Sequence, residues 1–269
     1  MLILEDQPNE VTHALQGADL LFVLDYNQYY RTGEQMESLL QQLRIPVILI
    51  DHHQQPGEFP DVCYSDTSAC STAEMVYRFL EQLAYKHCID DRCRQALYCG
   101  IMTDTNSFRY SSMKASTHRI IASLMEAGAE HHTIHEQVYD NFTENRLRLL
   151  GFILKDKMRV LHDFRTAYIA MSSAELEMFN FKSGDTEGIV NYALSIQGIK
   201  FAVFFTERDG LIKISFRSKG DFSAKEFASN YFEGGGHKNA SGGKSLLSLD
   251  QTVAKFLDVL KLYQSKLNS

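Results

Sequence analysis

Three segments in the first half of the chain share one pattern, an apolar run that ends in an acidic residue. They are Leu20–Leu24 before Asp25, Val47–Ile50 before Asp51, and Ala96–Met102 before Thr103 and Asp104. Near-continuous apolar runs are typical of strands that are buried on both faces of a parallel sheet. Helical periodicity lies between the runs, over Glu34–Leu43 and Ser71–Leu83. This alternation of strands and helices predicts an α/β fold.

The acids at the ends of the predicted strands point to a ligand site. In open α/β sheets the site lies outside the carboxyl ends of the strands. We therefore expect five residues to converge there: Asp25, Asp51, His52, His53 and Asp104. Each acid taken alone could instead cap the turn or helix that follows it. Carboxylates and imidazoles without thiolates favour Mn²⁺, or Mg²⁺ in its place. Two such ions about 3.5–4 Å apart would activate a water and clamp a phosphoryl group.

The second half of the chain predicts a connector followed by a smaller α/β unit. Apolar positions within Thr143–Val160 have the spacing of one face of a long helix. Beyond this helix the pattern predicts a strand, a helix with a capping box, a hairpin closed by Asp-Gly, and a terminal helix. These elements are Thr166–Met171, Ser172–Phe179, the strand pair Phe201–Thr206 with Leu211–Phe216, and Leu249–Leu267. We expect two domains, residues 1–142 and 165–269, with a helical connector over 143–164.

A glycine-rich run near the end of the chain suits an anion. Gly234, Gly235 and Gly236 precede His237, and together they offer a flexible backbone with several N–H groups. Such a run can form a phosphate-binding nest or a plain turn. Arg217 lies on the preceding predicted strand, and its guanidinium can hold a phosphate with two hydrogen bonds.

The segment that follows Asp104 combines polar and aromatic side chains. Asn106, Ser107 and Arg109 can contact a phosphate or a nucleotide, and the two aromatic residues among them either stack on a base or belong to the core. Further along, His131, His132 and His135 precede Glu136 at helical spacing. We interpret that histidine cluster as an exposed polar helix face rather than a second metal site.

The overall charge limits what a nucleic-acid partner can be. The 269 residues include 27 Lys and Arg against 34 Asp and Glu, a net charge of −7. The chain from Lys200 onward has 11 basic and 7 acidic residues, so the acidic excess lies in the first 199 residues. Neutralisation of phosphates dominates affinity for duplexes. We therefore expect short single-stranded RNA or a nucleotide, and no long duplex.

Other features of the composition predict a location. No apolar run approaches the roughly 18 residues of a membrane span, so we expect no membrane partner. The first ten residues lack the basic, apolar leader of a secretory signal. Five cysteines without a CxxC pair favour reduced thiols over a disulfide framework. These observations predict a cytoplasmic protein.

Three motifs, in order and at domain-scale separation, resemble those of the DHH/DHHA1 phosphoesterases. They are Asp51-His52-His53, the segment GIMTDTNSFR over Gly100–Arg109, and Gly234-Gly235-Gly236-His237. The middle segment is similar to the bacterial branch that degrades oligoribonucleotides of a few residues and dephosphorylates 3′-phosphoadenosine 5′-phosphate. The resemblance implies a parallel-sheet DHH domain joined by a helical connector to a smaller α/β DHHA1 domain.

The resemblance also implies roles for the residues of the DHH domain. Asp25 matches an aspartate that bridges two Mn²⁺ ions in the family. His52 matches a metal-binding histidine, and Asp104 matches another metal ligand. Asp51 matches an acid that supports the site without binding the metal directly. His53 matches the histidine that faces the scissile phosphate.

The same resemblance implies how substrate is held. Arg109 would meet the substrate beside Asn106 and Ser107. Arg217 and the run Gly234–His237 would hold the nucleotide on the DHHA1 domain. The family thereby implies a metal-dependent phosphohydrolase of short oligoribonucleotides, of 3′-phosphoadenosine 5′-phosphate, or of both.

One departure from the family pattern concerns the first motif, a histidine followed by a DxD pair. Nothing of that kind lies within Met1–Asp19. We expect that this chain is an incomplete version of a longer protein, lacking the first strand and first motif, rather than a degenerate member that binds nucleotide without cleaving it. A cyclic dinucleotide, or its linear product, is the alternative substrate. The oligomeric state stays open, with a homodimer as one possibility.

Overall fold

The computed structural model describes residues 2–110 and 113–268. They form two compact units, Met1–Asp140 and Asn141–Ser269. Within the described ranges, every helix is too short or too polar to cross a bilayer.

A short parallel sheet organises the first unit. Its strands are β1 (Leu21–Leu24), β2 (Val47–Asp51) and β3 (Val62–Ser65), in that order, with Leu24 opposite Ile50 and Asp51 opposite Ser65. Helices pack on this sheet and on one another, with a second apolar core among the helices. They are α1 (Pro8–Gln16), α2 (Glu34–Gln42), α3 (Thr72–Gln82), α4 (Asp91–Asp104), α5 (Ala115–Glu126) and α6 (His131–Tyr139).

The third predicted strand is wrong. Ala96–Met102 lies inside α4. The N-cap of this helix is Asp90, whose side chain accepts a hydrogen bond from the Cys93 amide. The residues of α4 that are buried are Leu97, Tyr98, Ile101 and Met102. Their spacing of one, three and one is that of one helix face, and they pack into the helical core. A short apolar run fits a buried helix as well as a strand, and here packing into the helical core favours the helix, which Asp90 caps.

A six-stranded mixed sheet organises the second unit. Its order is β4-β5-β6-β7-β9-β8. The strands are β4 (Met158–Leu161), β5 (Thr166–Met171), β6 (Phe201–Arg208), β7 (Leu211–Ser218), β8 (Gly235–His237) and β9 (Ala240–Ser245). The helices are α7 (Glu144–Phe152), α8 (Ser173–Glu177), α9 (Ile189–Ser195), α10 (Ala224–Tyr231), α11 (Leu249–Lys261) and α12 (Gln264–Asn268). A parallel sheet in one unit and a mixed sheet in the other confirm the α/β prediction.

Local signals place most elements of this second unit as expected. Ser172 and Glu175 form the predicted capping box at the start of α8. Asp209 and Gly210 both have positive φ angles, 54° and 76°, which is the conformation that a tight β6–β7 hairpin needs. Both observations confirm the corresponding predictions.

Two predicted helices are shorter in the structure. α7 ends at Phe152, a π-helical turn follows over Ile153–Lys157, and the remainder of the predicted helix is strand β4, because Met158–Leu161 pairs with β5. The terminal helix is divided into α11 and α12. In both places the apolar periodicity of the sequence continues past the residue where the helix ends. Packing, and not the local sequence, determines where each helix ends.

The glycine-rich run is also more regular than a loop. Gly235–His237 forms the edge strand β8, which pairs with β9. A Cβ atom at Gly234 would collide with the carbonyl oxygen of Gly242, and one at Gly236 would lie 2.7 Å from the carbonyl oxygen of Ala240. Two of the three glycines are thus needed for close backbone approach within this hairpin. The sequence predicts a phosphate-binding nest or a plain turn here, and the backbone is instead an edge strand, which directs alternate N–H groups away from its neighbour.

Candidate metal centre

Three side chains from separate elements meet at the end of the short parallel sheet. Asp25 follows β1, His52 follows β2, and Asp104 is the last residue of α4. His52 Nε2 lies 3.7 Å from Asp25 Oδ1 and 3.4 Å from Asp104 Oδ2. Asp104 thus reaches the position that the sequence predicts, although it comes from a helix C-terminus and not from a strand.

The backbone at Asp25 is in the left-handed region, with φ of 68°. Few residues other than glycine adopt this conformation, which Asp tolerates better than most, and such residues concentrate at functional sites. The amide of Asp25 still donates to the carbonyl of Ile50 at 3.3 Å, so the residue remains tied to β2 while its side chain leaves the line of β1. The conformation directs the Asp25 carboxylate to His52.

The three donor atoms fit a divalent cation. Their ligand atoms all lie within 4.8 Å of one another. Two atoms that each stand about 2.1 Å from one ion are about 3–3.5 Å apart when their bonds make ordinary angles. The separations from His52 Nε2 are close to that range. Two carboxylates and one imidazole are the oxygen and nitrogen ligands that Mn²⁺, Mg²⁺ and zinc accept.

The charge at this point of the molecule also fits a cation. The pKa of Asp104 is raised, first because burial disfavours the charged carboxylate and also because the Asp25 carboxylate is nearby, while the His52 imidazole opposes the rise. A bound cation would remove the repulsion between the two carboxylates. Asp25 and Asp104 thus bring two negative charges together. Their described side-chain contacts include no arginine or lysine that would balance these charges.

Asp51 and His53 form a pair beside these three residues. The Asp51 side chain is fully buried, and its carboxylate accepts from His53 Nδ1 at 2.8 Å and from the His53 amide at 2.6 Å. Burial would raise the pKa of Asp51, but the hydrogen bonds from His53 outweigh it and leave that pKa below its usual range. Asp51 therefore fixes the orientation and the protonated nitrogen of the His53 ring.

The sequence gives no hint of the polar contacts that hold these ligands. Thr72 Oγ1 donates to Asp25 Oδ1 at 2.7 Å, and His52 Nδ1 lies 3.4 Å from the carbonyl oxygen of Ala69. Both partners belong to the turn that starts α3. The signal that exists is Ser71, which caps α3 through the Glu74 amide, but a capping motif says nothing about what the helix end faces.

A buried carboxylate anchors that turn. Glu74 is fully buried and accepts from the Cys70 amide at 3.1 Å and from Thr117 Oγ1 at 3.1 Å, and it pairs with Arg78. A buried carboxylate with these partners is costly to disturb, because each lost partner leaves an unsatisfied charge. Glu74 thereby ties the start of α3, and with it Thr72, to the helical core.

The loop after Asp104 has an unusual backbone. Three successive residues other than glycine, Asn106, Ser107 and Phe108, have positive φ angles of 49°, 57° and 64°. Each left-handed residue costs about 1–2 kcal/mol. Thr105, which is fully buried, holds the loop from inside, since its Oγ1 accepts from the Phe108 amide and its carbonyl from the Arg109 amide. Arg109 is exposed at the end of this turn.

The predicted nucleotide-binding residues of the second unit share one corner of its sheet. Arg217 on β7 and His237 on β8 both pair with Ala240 on β9, so the three residues form one row across the sheet and their side chains share a face. Arg217 Nη1 donates to the carbonyl of Phe216, and its buried Nε has no hydrogen-bond partner among the described residues. Gly235 pairs with Gly242 in the next row of that face, where neither residue has a side chain.

Comparisons with known proteins agree with the two units. The model of the DHH family, N-terminal domain, matches residues 1–101, and the model of the DHHA1 domain matches residues 168–266. A crystal structure of an exopolyphosphatase-related protein from Bacteroides fragilis is 33% identical, with a TM-score of 0.95 over 100% of this chain and 78% of that chain.

Curated relatives include two proteins named bifunctional oligoribonuclease and PAP phosphatase NrnA. The one from Bacillus subtilis is 30% identical over 203 residues, 75% of this chain and 63% of the relative. The one from Thermus thermophilus is 27% identical over 216 residues, 80% of this chain and 64% of the relative. The chain thus spans less than two thirds of the length of these relatives. The two matched domains and the similarity along the whole chain confirm the resemblance seen in the sequence: this protein belongs to the DHH/DHHA1 family.

Proposed function

We propose that this protein is a metal-dependent phosphohydrolase that cleaves short oligoribonucleotides and 3′-phosphoadenosine 5′-phosphate. The observation that carries the proposal is the donor set of Asp25, His52 and Asp104, gathered within 4.8 Å. Membership of the DHH/DHHA1 family and the names of the curated relatives support this substrate class.

Asp25, His52 and Asp104 would hold Mn²⁺, with Mg²⁺ as a substitute. When bound, the metal supplies Lewis acidity for the phosphoryl oxygens and lowers the pKa of a water. The family resemblance assigns Asp25 to bridging two ions, and its carboxylate also lies within 4.8 Å of donor atoms of Asp51 and His53. Because the Asp51 oxygens already accept from His53, we assign Asp51 to support of the site and not to direct ligation.

His53 would stabilise charge on the phosphate. Its Nδ1 donates to the Asp51 carboxylate, which orients the ring, and its Nε2 would then contact a phosphoryl oxygen. Arg109, with its exposed guanidinium, would bind a second phosphoryl oxygen, and Asn106 and Ser107 would contact the substrate from the same loop.

The second unit would bind the nucleotide itself. Arg217, whose Nε has no hydrogen-bond partner among the described residues, lies in one row of the sheet with His237, and the glycines beside them leave room for a base or a phosphate. The excess of basic residues from Lys200 onward favours an anionic ligand there. The net charge of −7 for the whole chain argues against a long duplex.

The free cysteines bear on where this chemistry takes place. All five, Cys63, Cys70, Cys88, Cys93 and Cys99, are unpaired in the structure. Free thiols persist in reducing compartments. We therefore assign the activity to the cytoplasm.

The test is turnover with Mn²⁺ of three substrates: a diribonucleotide, 3′-phosphoadenosine 5′-phosphate and a cyclic dinucleotide, with products separated by chromatography. We expect the first two to be hydrolysed faster than the third, and Asp104→Asn to abolish turnover. Faster hydrolysis of the cyclic substrate would favour the alternative, a cyclic-dinucleotide phosphodiesterase. The proposal fails if neither this chain nor a version joined to the first motif of a relative turns over any of the three.

A second candidate is a nucleotide-binding protein without catalysis. The row of Arg217, Ala240 and His237 in the second unit favours it, because these residues would bind a nucleotide whether or not a metal is held. Calorimetry separates the two functions. Nucleotide affinity that is the same with and without Mn²⁺, together with no turnover, would support binding alone.

A further inference from the structure

His135 lies outside the residues assigned so far, yet it contacts the loop that carries Arg109. Its Nε2 is 3.3 Å from Ser107 Oγ, and its Nδ1 is 2.8 Å from the carbonyl oxygen of His131. A carbonyl oxygen only accepts, so Nδ1 carries a proton, and in the neutral imidazole Nε2 then accepts from the Ser107 hydroxyl. The contact therefore has a defined direction, from Ser107 in the loop to His135 on α6.

The loop needs external support because its conformation is locally unfavourable. Asn106, Ser107 and Phe108 are all left-handed, and residues of this kind persist only where the surroundings hold them. Thr105 supplies the support from within the loop. His135 supplies it from outside, at the middle of the three left-handed residues.

The ring of His135 is itself held in place. It packs near four other rings at centroid distances of 6.0–6.4 Å, those of Tyr98, Phe108, His131 and Tyr139. Phe108 belongs to the same loop, and its ring also contacts Tyr98 at 5.9 Å. His135 thus meets the loop twice, through a hydrogen bond to Ser107 and through contact with the Phe108 ring.

We propose that His135 is a positioning residue, which holds the turn between Asp104 and Arg109 in its left-handed conformation and so fixes the arginine relative to the metal ligand. The inference rests on the proposed function, since it gives the turn a task in phosphate binding. Asp104 and Arg109 stand at the two ends of this turn, five residues apart. A shift of the turn moves the guanidinium without removing any ligand of the metal.

The matched variants are His135→Phe, which keeps an aromatic ring but loses both nitrogens, and His135→Gln, whose amide oxygen can still accept from Ser107. His132→Phe is the control, because His132 lies on the same helix with a side chain that is 85% exposed. We expect His135→Phe to lower kcat/KM about 10–100-fold, because small displacements of a positioned group have effects of that size. His135→Gln and the control should stay within about threefold, and the Mn²⁺ affinity of all three should match that of the unmodified protein.

A readout without catalysis separates this inference from the proposed function. Trypsin cuts after Arg109, so the rate of cleavage between Arg109 and Tyr110 reports on opening of the turn. We expect cleavage to be about fivefold faster in His135→Phe than in the unmodified protein or His135→Gln. Cleavage at the unmodified rate in His135→Phe would overturn the inference, whether or not the protein hydrolyses phosphoesters. If activity is absent but cleavage responds as expected, the proposed function fails and the positioning role of His135 stands.

A double-mutant cycle covers the case in which His135→Phe is also less stable. Ser107→Ala removes the donor of the same hydrogen bond. If the bond holds the turn, Ser107→Ala accelerates cleavage as well, and the double variant is cut no faster than the faster of the two single variants. Effects of the two single changes that multiply in the double variant would mean that the residues act independently, and would overturn the proposal.

Discussion

Thr72 provides the sharpest test of how the candidate metal centre is built. Its hydroxyl donates to Asp25 Oδ1 at 2.7 Å, and Thr72 itself is only 5% exposed. Thr72→Val keeps the shape of the side chain and removes the donor. The backbone of Asp25 is in the left-handed region, and its side chain is 57% exposed. Few other contacts therefore constrain its carboxylate, and the bond from Thr72 orients it.

The expected magnitude follows from the role of a partner behind a ligand. Loss of such a partner lowers metal affinity about 10–100-fold, equivalent to about 1.4–2.8 kcal/mol at 25 °C. This agrees with the roughly 1.5–3 kcal/mol of a hydrogen bond to a charged group, reduced here by solvent around Asp25. Isothermal titration with Mn²⁺ measures the change directly. Thr72→Ser, which restores the hydroxyl, should recover most of the affinity.

Thr103→Val is the matched control for this experiment. Thr103 is next to Asp104, but its hydroxyl donates to the backbone carbonyl of Cys99, within α4. Its variant should bind Mn²⁺ within about twofold of the unmodified protein. If Thr72→Val also binds Mn²⁺ within twofold, Asp25 is not held by Thr72 and the reasoning is refuted.

Three further predictions concern stability. Gly234→Ala should lower the free energy of unfolding by about 1–3 kcal/mol in denaturant titrations, because the new Cβ would collide with the β8–β9 hairpin. Gly235→Ala is the control, because Gly235 has open space around it, and it should change the free energy of unfolding by less than about 0.5 kcal/mol. Equal effects of the two changes would contradict this prediction. Burial raises the pKa of Glu175, but its bonds with Lys157 and Ser172 lower it overall, so its ionised form stabilises the fold above its unfolded pKa and that stability is lost as the pH falls. The difference in melting temperature between the unmodified protein and Glu175→Gln should therefore widen from about pH 3 to pH 6, and a constant difference would refute the assignment. Finally, Mn²⁺ at 100 times its Kd should stabilise the unmodified protein by about 2.7 kcal/mol, as measured by thermal unfolding. The same concentration should leave the stability of Asp104→Asn nearly unchanged. Equal stabilisation of both proteins would mean that the ion binds elsewhere.

Several parts of this protein could be predicted from local sequence because their cause is local. The apolar runs before Asp25 and Asp51 form strands β1 and β2. Ser172 caps its helix through a residue three positions away, and Asp209 and Gly210 adopt the backbone that their hairpin needs. The DHH tripeptide, whose Asp51 is the last residue of β2, identified the family because its position relative to a strand is part of the motif.

Other parts depend on contacts between residues that are distant in the chain. The run Ala96–Met102 is apolar enough for a strand or a buried helix, and only packing against α3, α5 and α6 makes it a helix. Strand β3 is short and its first two residues are exposed, so its composition alone does not indicate a strand; pairing with β2 decides it. Thr72 lies 47 residues from Asp25, and Ser107 lies 28 residues from His135.

The candidate ligand types and the family therefore came from the order of residues along the chain, since acids and histidines at predicted strand ends leave a local signature. The tertiary structure alone determined that a helix, and not a strand, delivers Asp104 to His52, and that Thr72 and His135 support the groups around them. Hydrogen bonds between residues that lie tens of positions apart leave no periodic or compositional pattern in the sequence. They exist only once the apolar faces of the helices have packed and brought the polar atoms within about 3 Å of each other.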